Sequence, residues 1–166
     1  MEAGAFFPVH IGWADALARI AFSIVFALSI GVERFVHKKP VDFRPFVIIS
    51  LSSCGLGLLI VELPFTSTDS NLSIDPAKVI SGVMSGIGFL GAGALFREGD
   101  IVKGAGSAAS IWSAGAIGLI CGMGFFWLAG LVALGIILLF LLSRRYVETD
   151  AYTARLDKDD EDGSDR

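Results

Sequence analysis

Long stretches of this chain carry few or no charges, and they recur at the spacing of membrane crossings. Four charge-poor runs stand out: about Ala14 to Val32, Phe46 to Leu63, Val79 to Phe96 and Ala105 to Leu142. The third, VISGVMSGIGFLGAGALF, would extend roughly 27 Å as a helix, close to the thickness of a bilayer's hydrocarbon core. The fourth is too long for one crossing and breaks best at Gly122-Met123-Gly124. The pattern predicts an all-α polytopic integral membrane protein with five transmembrane helices and a Gly-rich packed centre.

The packed centre is expected from the small residues. In water each glycine of the third run would cost a helix roughly 0.5 to 1 kcal/mol relative to Ala. In lipid, where helix is enforced, glycine instead lets another backbone come close. At helical spacing Gly82, Gly86, Phe89 and Gly93 share one face, while Ser81, Ser85, Gly88 and Ala92 share another, with Gly91 between turns. The next helix offers a matching stripe in Ser107, Ser110, Ala114, Gly118 and Cys121, with Trp112 nearby. These two helices are expected to form the tightest pair, with hydroxyls at 81, 85, 107 and 110 free to bond across it.

Composition agrees with the pattern. Apolar residues make up 54% of the chain and charged ones 18%, below the quarter or so usual in soluble domains, and mean hydropathy is +0.69. Eight of the seventeen acids fall after Tyr146, against three basic residues there, so the net charge of −4 belongs largely to the end of the chain. What precedes it is nearly neutral, which excludes a broad nucleic-acid surface. The expected partition is an external N-terminus (1–13), a transmembrane domain (14–146) and an acidic, disordered cytoplasmic tail (147–166).

Orientation follows from Lys and Arg in the short loops. Arg34, Lys38, Lys39 and Arg44 lie between the first two runs, with His37 beside them; Arg97 and Lys103 follow the third, and Arg144 and Arg145 the last. The other side has only Lys78. The positive-inside rule then predicts the N-terminus outside and the C-terminus cytoplasmic. The start, MEAGAFFPVHIGW, has no basic stretch before its apolar part and does not read as a cleaved signal peptide. Asn71-Leu72-Ser73 matches a glycosylation triplet too common to fix a compartment.

Candidate chemistry is sparse. Asp15 and Arg19 stand four apart, acid first, which suits an ion pair. Glu33 and Arg34 close the first helix, Glu62 ends the second, and Arg97 ends the third. Residues 20–32, 46–61, 79–96 and 105–143 hold no charge, so no carboxylate relay crosses the bilayer midplane. His10 and His37 fall on opposite sides, and no nucleophile, base and acid gather, so no enzyme is expected and no cofactor or metal site is assigned. Cys54 and Cys121 lack metal spacing and read as buried apolar residues. Gly86-Ile-Gly88-Phe-Leu-Gly91 has the G-x-G-x-x-G spacing of a dinucleotide site but neither the strand, the open helix N-terminus nor the later acid that site requires.

GIGFLGAG at 86–93, VKGAGSAASIW at 102–112, AGAIGLICGMG at 114–124, IGVER at 30–34 and Asp75-Pro76-Ala77-Lys78 together resemble the MgtC/SapB family of bacterial inner-membrane proteins, over most of residues 14 to 130. The resemblance implies a five-helix membrane domain associated with magnesium limitation, acid stress or intracellular survival. One branch is linked to restraint of the proton-driven ATP synthase through membrane contacts and carries a soluble C-terminal domain; this chain is similar to the shorter SapB-like members. The leading expectation is a non-enzymatic regulator that touches a membrane partner, another protein or a second copy in a homo-oligomer, helix to helix. The alternative is a small channel or transporter for magnesium or another cation, with Asp15, Glu62 and Asp75 as oxygen donors. A structural membrane subunit is a third reading.

Overall fold

The computed structural model describes residues 7–36, 42–66, 74–98 and 101–143. Helix α1 runs Trp13–Val36, with Asp15 in its first turn and Arg34 in its last, each at the end where the helix dipole favours its charge. Its buried positions, Ser23, Ala27, Ile30, Gly31 and Arg34, recur at three and four. Helix α2, Arg44–Thr66, buries Phe46, Ser50, Ser53, Cys54, Gly57 and Ile60 in the same rhythm. Pro64 sits in its final turn and, lacking an N–H, cannot donate to the Ile60 carbonyl.

Helix α3 is Pro76–Gly93, three residues upstream of the expected run. The Asp75 side chain accepts a bond from the Ala77 amide at 3.0 Å, and Pro76 opens the first turn with its φ already helical. Lys78 therefore lies inside the helix, and Phe96 outside it. Phe96–Glu98 and Ile101–Lys103 form strands β1 and β2 of a small antiparallel hairpin, with Arg97 opposite Val102. This hairpin is an unforeseen addition to an otherwise helical fold. Gly104, at φ +93°, turns the chain into helix α4, Ala105–Gly122; a Cβ there would stand 2.2 Å from the Ala94 carbonyl. Gly124, at φ +91°, makes the next turn, and α5 follows at Phe126–Ser143. The break at residues 122–124 thus divides the last apolar run into two helices.

Helices α1, α2, α4 and α5 are long and apolar enough to cross a membrane. α3 is not among them: Pro76, Lys78 and its glycines dilute its hydropathy. The protein is a polytopic membrane protein, with five helices among the described residues.

The core lies around α4, the most buried of the membrane-length helices, ahead of α2 and α1. Its most extensive contact is with α2, and here one expectation is corrected. The tight pair is α2 with α4, not α3 with α4. A Cβ on Gly118 would lie 2.1 Å from the Ser50 carbonyl oxygen, one on Gly122 2.2 Å from the Cys54 carbonyl oxygen, and one on Gly57 2.8 Å from the Leu119 carbonyl oxygen. Backbone meets backbone at these points, through a Gly118-x-x-x-Gly122 spacing facing Ser50, Cys54 and Gly57. α3 reaches α4 more loosely: Ile87 fills the space over Gly115, and Gly91 faces the Ala108 carbonyl.

The chain divides into two compact units, residues 1–133 and 134–166. Among the described residues the second is the Leu134–Ser143 part of α5. His37, Lys38, Lys39, Asn71, Arg144, Arg145 and the whole 147–166 segment lie outside the described residues.

Candidate functional site

Two polar clusters grip the ends of α4. At its C-terminus, Arg19 of α1 donates from Nε and Nη2 to one Asp15 oxygen, at 3.1 and 2.7 Å, and from Nη1 to the Gly122 carbonyl at 2.8 Å. That carbonyl is one of the orphan acceptors a helix leaves at its end, so the cation satisfies both a carboxylate and a helix terminus. At the other end of α4, Arg34 is 8% exposed and donates from Nη2 to Ser107 Oγ at 3.1 Å. Its guanidinium lies against Gly106, where a Cβ would come within 3.1 Å of Nη2. Glu33 acts on it electrostatically.

The remaining charges anchor local structure. Arg44 Nε is 2.9 Å from Asp42, with the arginine side chain largely in the open. Asp75 caps α3, and Lys78 is exposed. Arg97 lies in β1. Glu62, near the end of α2, accepts the backbone N–H groups of Val9, His10 and Ile11, the latter two at 2.9 Å, while His10 stacks on Phe65 with ring centres 3.8 Å apart. Asp15, Glu62 and Asp75 are thus engaged separately. Among the described residues no three His, Cys, Asp or Glu side chains come together.

The expected packing residues divide. Ser107, Ser110 and Gly118 are buried in the α4 core, and Gly91 is buried against it. Ser110 bonds within its own helix, to the Gly106 carbonyl at 2.6 Å, and Ser107 bonds across to α1 and not to α3. Trp112 is half exposed. The assignment of Gly82, Gly86, Gly88 and Gly93 to packing within this bundle is corrected: a Cβ at any of them would meet nothing within 4 Å. α3 touches the bundle along its Ile87 and Gly91 side, so its other small residues face outward, with Phe89 at 81% exposure. Gly57, Gly122 and the backbone of residues 9–11 were not foreseen. For Gly122 a signal existed in its spacing from Gly118.

The model of the MgtC family matches residues 20–149, from the second turn of α1 past the end of α5. The chain belongs to the MgtC family. Protein SapB of Bacillus subtilis (strain 168) is 30% identical over 114 residues, 68% of this chain and 49% of that protein. Protein MgtC of Brucella abortus (strain 2308) is 31% identical over 141 residues, covering 85% and 56%. Protein MgtC of Salmonella typhimurium (strain 14028s / SGSC 2262) is 36% identical over 97 residues, covering 58% and 38%. This MgtC-family chain spans about half the length of these curated relatives. No solved structure matches it.

Proposed function

We propose that this chain is a non-enzymatic regulator of MgtC/SapB type in the bacterial inner membrane, acting by helix-to-helix contact with a membrane partner under magnesium limitation or acid stress. The partner is another membrane protein or a second copy of the chain. The observation that carries the reading is the outward face of α3. Most exposed positions on α1 and α2 are large and apolar, as with Leu17 and Val25 on α1 and Ile48 and Leu59 on α2, with Ala21, Ser52 and Gly55 among the small exceptions. α3 instead exposes Ser81, Gly82, Ser85, Gly86, Ala92 and Gly93. Such a surface gains little from acyl chains and much from an approaching backbone, because helix association in lipid depends on close packing and interhelical hydrogen bonds. The proposed orientation, N-terminus outside and C-terminus cytoplasmic, rests on the Lys and Arg asymmetry.

Cysteine cross-linking in native membranes tests the reading. A cysteine at Gly82 is expected to form a discrete protein adduct that disappears when Gly86→Leu is added, while the melting of the purified chain stays unchanged. Equal adduct yield from a cysteine at Ile48, or an adduct indifferent to Gly86→Leu, would overturn it. Reporter fusions within 67–73 and at the C-terminus are expected on opposite sides; one side for both refutes the orientation.

A further inference from the structure

We propose that residues 7–12 form a strap latched to the end of α2 by the ionised Glu62 carboxylate, so that the charge state of this one group decides whether the strap is closed or open. The strap precedes α1, and Glu62 lies more than fifty residues later, so the contact is a tertiary closure rather than a local turn. Three successive backbone N–H groups, of Val9, His10 and Ile11, converge on the two carboxylate oxygens. Such a run of amides makes an anion-binding concavity, and here the anion is a tethered side chain. Two further contacts close with it: the His10 ring lies flat on Phe65, at an interplanar angle of 6°, and Ile11 is 4% exposed.

The donors make the latch selective for charge. A carboxylate offers only acceptors and matches three N–H groups, whereas a protonated carboxyl brings an O–H donor into a site composed of donors. Closure is therefore present while Glu62 is ionised and is lost as pH falls through its titration. Among the described residues, the titratable group acting on Glu62 from another segment is His10. Asp15 and Arg19, on the adjoining start of α1, are committed to one another and to Gly122. The electrostatic influence of His10 favours the ionised form of Glu62 and cannot open the latch; opening follows Glu62. Once open, the strap withdraws Ile11 from its buried position and uncovers the Phe65 end of α2.

Spin labelling of the full chain in lipid nanodiscs tests this. A nitroxide on Val9→Cys reports the strap, and one on Trp112→Cys reports the bundle; native Cys54 and Cys121 are fully buried and stay in place. Burial raises the Glu62 carboxyl but the three backbone N–H bonds outweigh it and hold it below the ordinary carboxylate range, so spectra are compared at about pH 7.5 and about pH 2.5, well above and well below an ordinary Glu value of about 4.3. The strap label is expected to be immobilised at the higher pH and to gain a several-fold larger mobile fraction at the lower, while the bundle label does not change. Glu62→Gln, with the same shape and no charge, is expected to be mobile at both. A strap label equally immobile at both pH values, a Glu62→Gln strap that stays closed, or simultaneous loosening of both labels would overturn the proposal. The first measurement needs no variant of Glu62, so a misfolded substitution does not rescue the idea.

Discussion

Replacing Gly118 by alanine tests the assignment of the packed centre most directly. The added methyl carbon would stand 2.1 Å from the Ser50 carbonyl oxygen and 2.8 Å from its carbon. The obstacle is backbone on a buried helix, so no rotamer change can clear it. To restore ordinary contact, α2 and α4 must part by roughly 1.3 Å at this point, and a gap of that order forfeits a third or more of the dispersion attraction along the shared face. The same movement pulls on the Gly57 and Gly122 contact one turn away. Overpacking of this kind costs about 1 to 3 kcal/mol and sometimes more. The helix preference of Ala over Gly returns at most about 1 kcal/mol. The net expectation is a loss of about 2 kcal/mol, or about thirtyfold in the unfolding equilibrium.

Reversible unfolding by sodium dodecyl sulfate in mixed micelles, followed by tryptophan fluorescence, measures that loss. Gly86→Ala is the matched control, since its methyl group would meet nothing within 4 Å. The packing argument fails if Gly118→Ala unfolds with the parent, or if Gly86→Ala falls as far as Gly118→Ala.

Three further outcomes follow from the polar clusters. In a double-mutant cycle on Asp15 and Arg19, the paired charges should show a coupling of about 1 kcal/mol, and removing Arg19 alone should cost more than removing Asp15, because the Gly122 carbonyl also loses its donor; additive effects would mean the two act separately. Ser107→Ala takes a hydroxyl acceptor from buried Arg34 and should cost about 1 to 3 kcal/mol in the same unfolding assay, whereas Ser113→Ala, which removes only a bond within its helix, should cost less than about 0.5 kcal/mol. Purified protein in liposomes loaded with a magnesium-sensitive dye should give no flux above empty liposomes, since magnesium sheds its water reluctantly and Asp15, Glu62 and Asp75 are each already engaged; a flux abolished by neutralising Asp15 or Glu62 would replace the regulator with a channel.

The helical spans were legible because charge is costly in a bilayer, and long uncharged runs record that cost. Their ends were less so. Asp75-Pro76 is a helix start in its own right, but a reading that followed the absence of charge began the helix three residues late. The hairpin was hidden in a short charged stretch, where Gly99-Asp100, a pair of the type two-residue hairpin connections use, was the available hint. The packed centre was misplaced because glycines were counted on α3, and number does not tell which way a glycine faces. Gly122 was taken as a breaker when it both ends α4 and makes one of its closest contacts. The Glu62 strap had no side-chain signature, since its donors are backbone amides of three unlike residues.

The two arginines of α1 hold α4 at both ends. Arg19 and Arg34 are fifteen positions apart, about 22 Å along a helix, and reach opposite ends of the same α4. Their electrostatic situations are opposite too. Arg19 meets the negative end of the α4 dipole and is attracted; Arg34 meets the positive end, an arrangement that costs about 0.3 to 1 kcal/mol and is offset by neighbouring Glu33 and by the Ser107 hydroxyl. Sliding α4 by one turn along α1 would detach Arg19 from Gly122 and Arg34 from Ser107 together, while Gly118 and Gly122 would lose their fit on α2. α4 is thus held in register at both ends and along its length. Among the described residues α3 shows no comparable polar lock; its close approaches to α4 include Ile87 over Gly115 and Gly91 beside Ala108. A helix held on one side, with glycine and serine on the other, can accept a neighbour without disturbing the core that α4 organises.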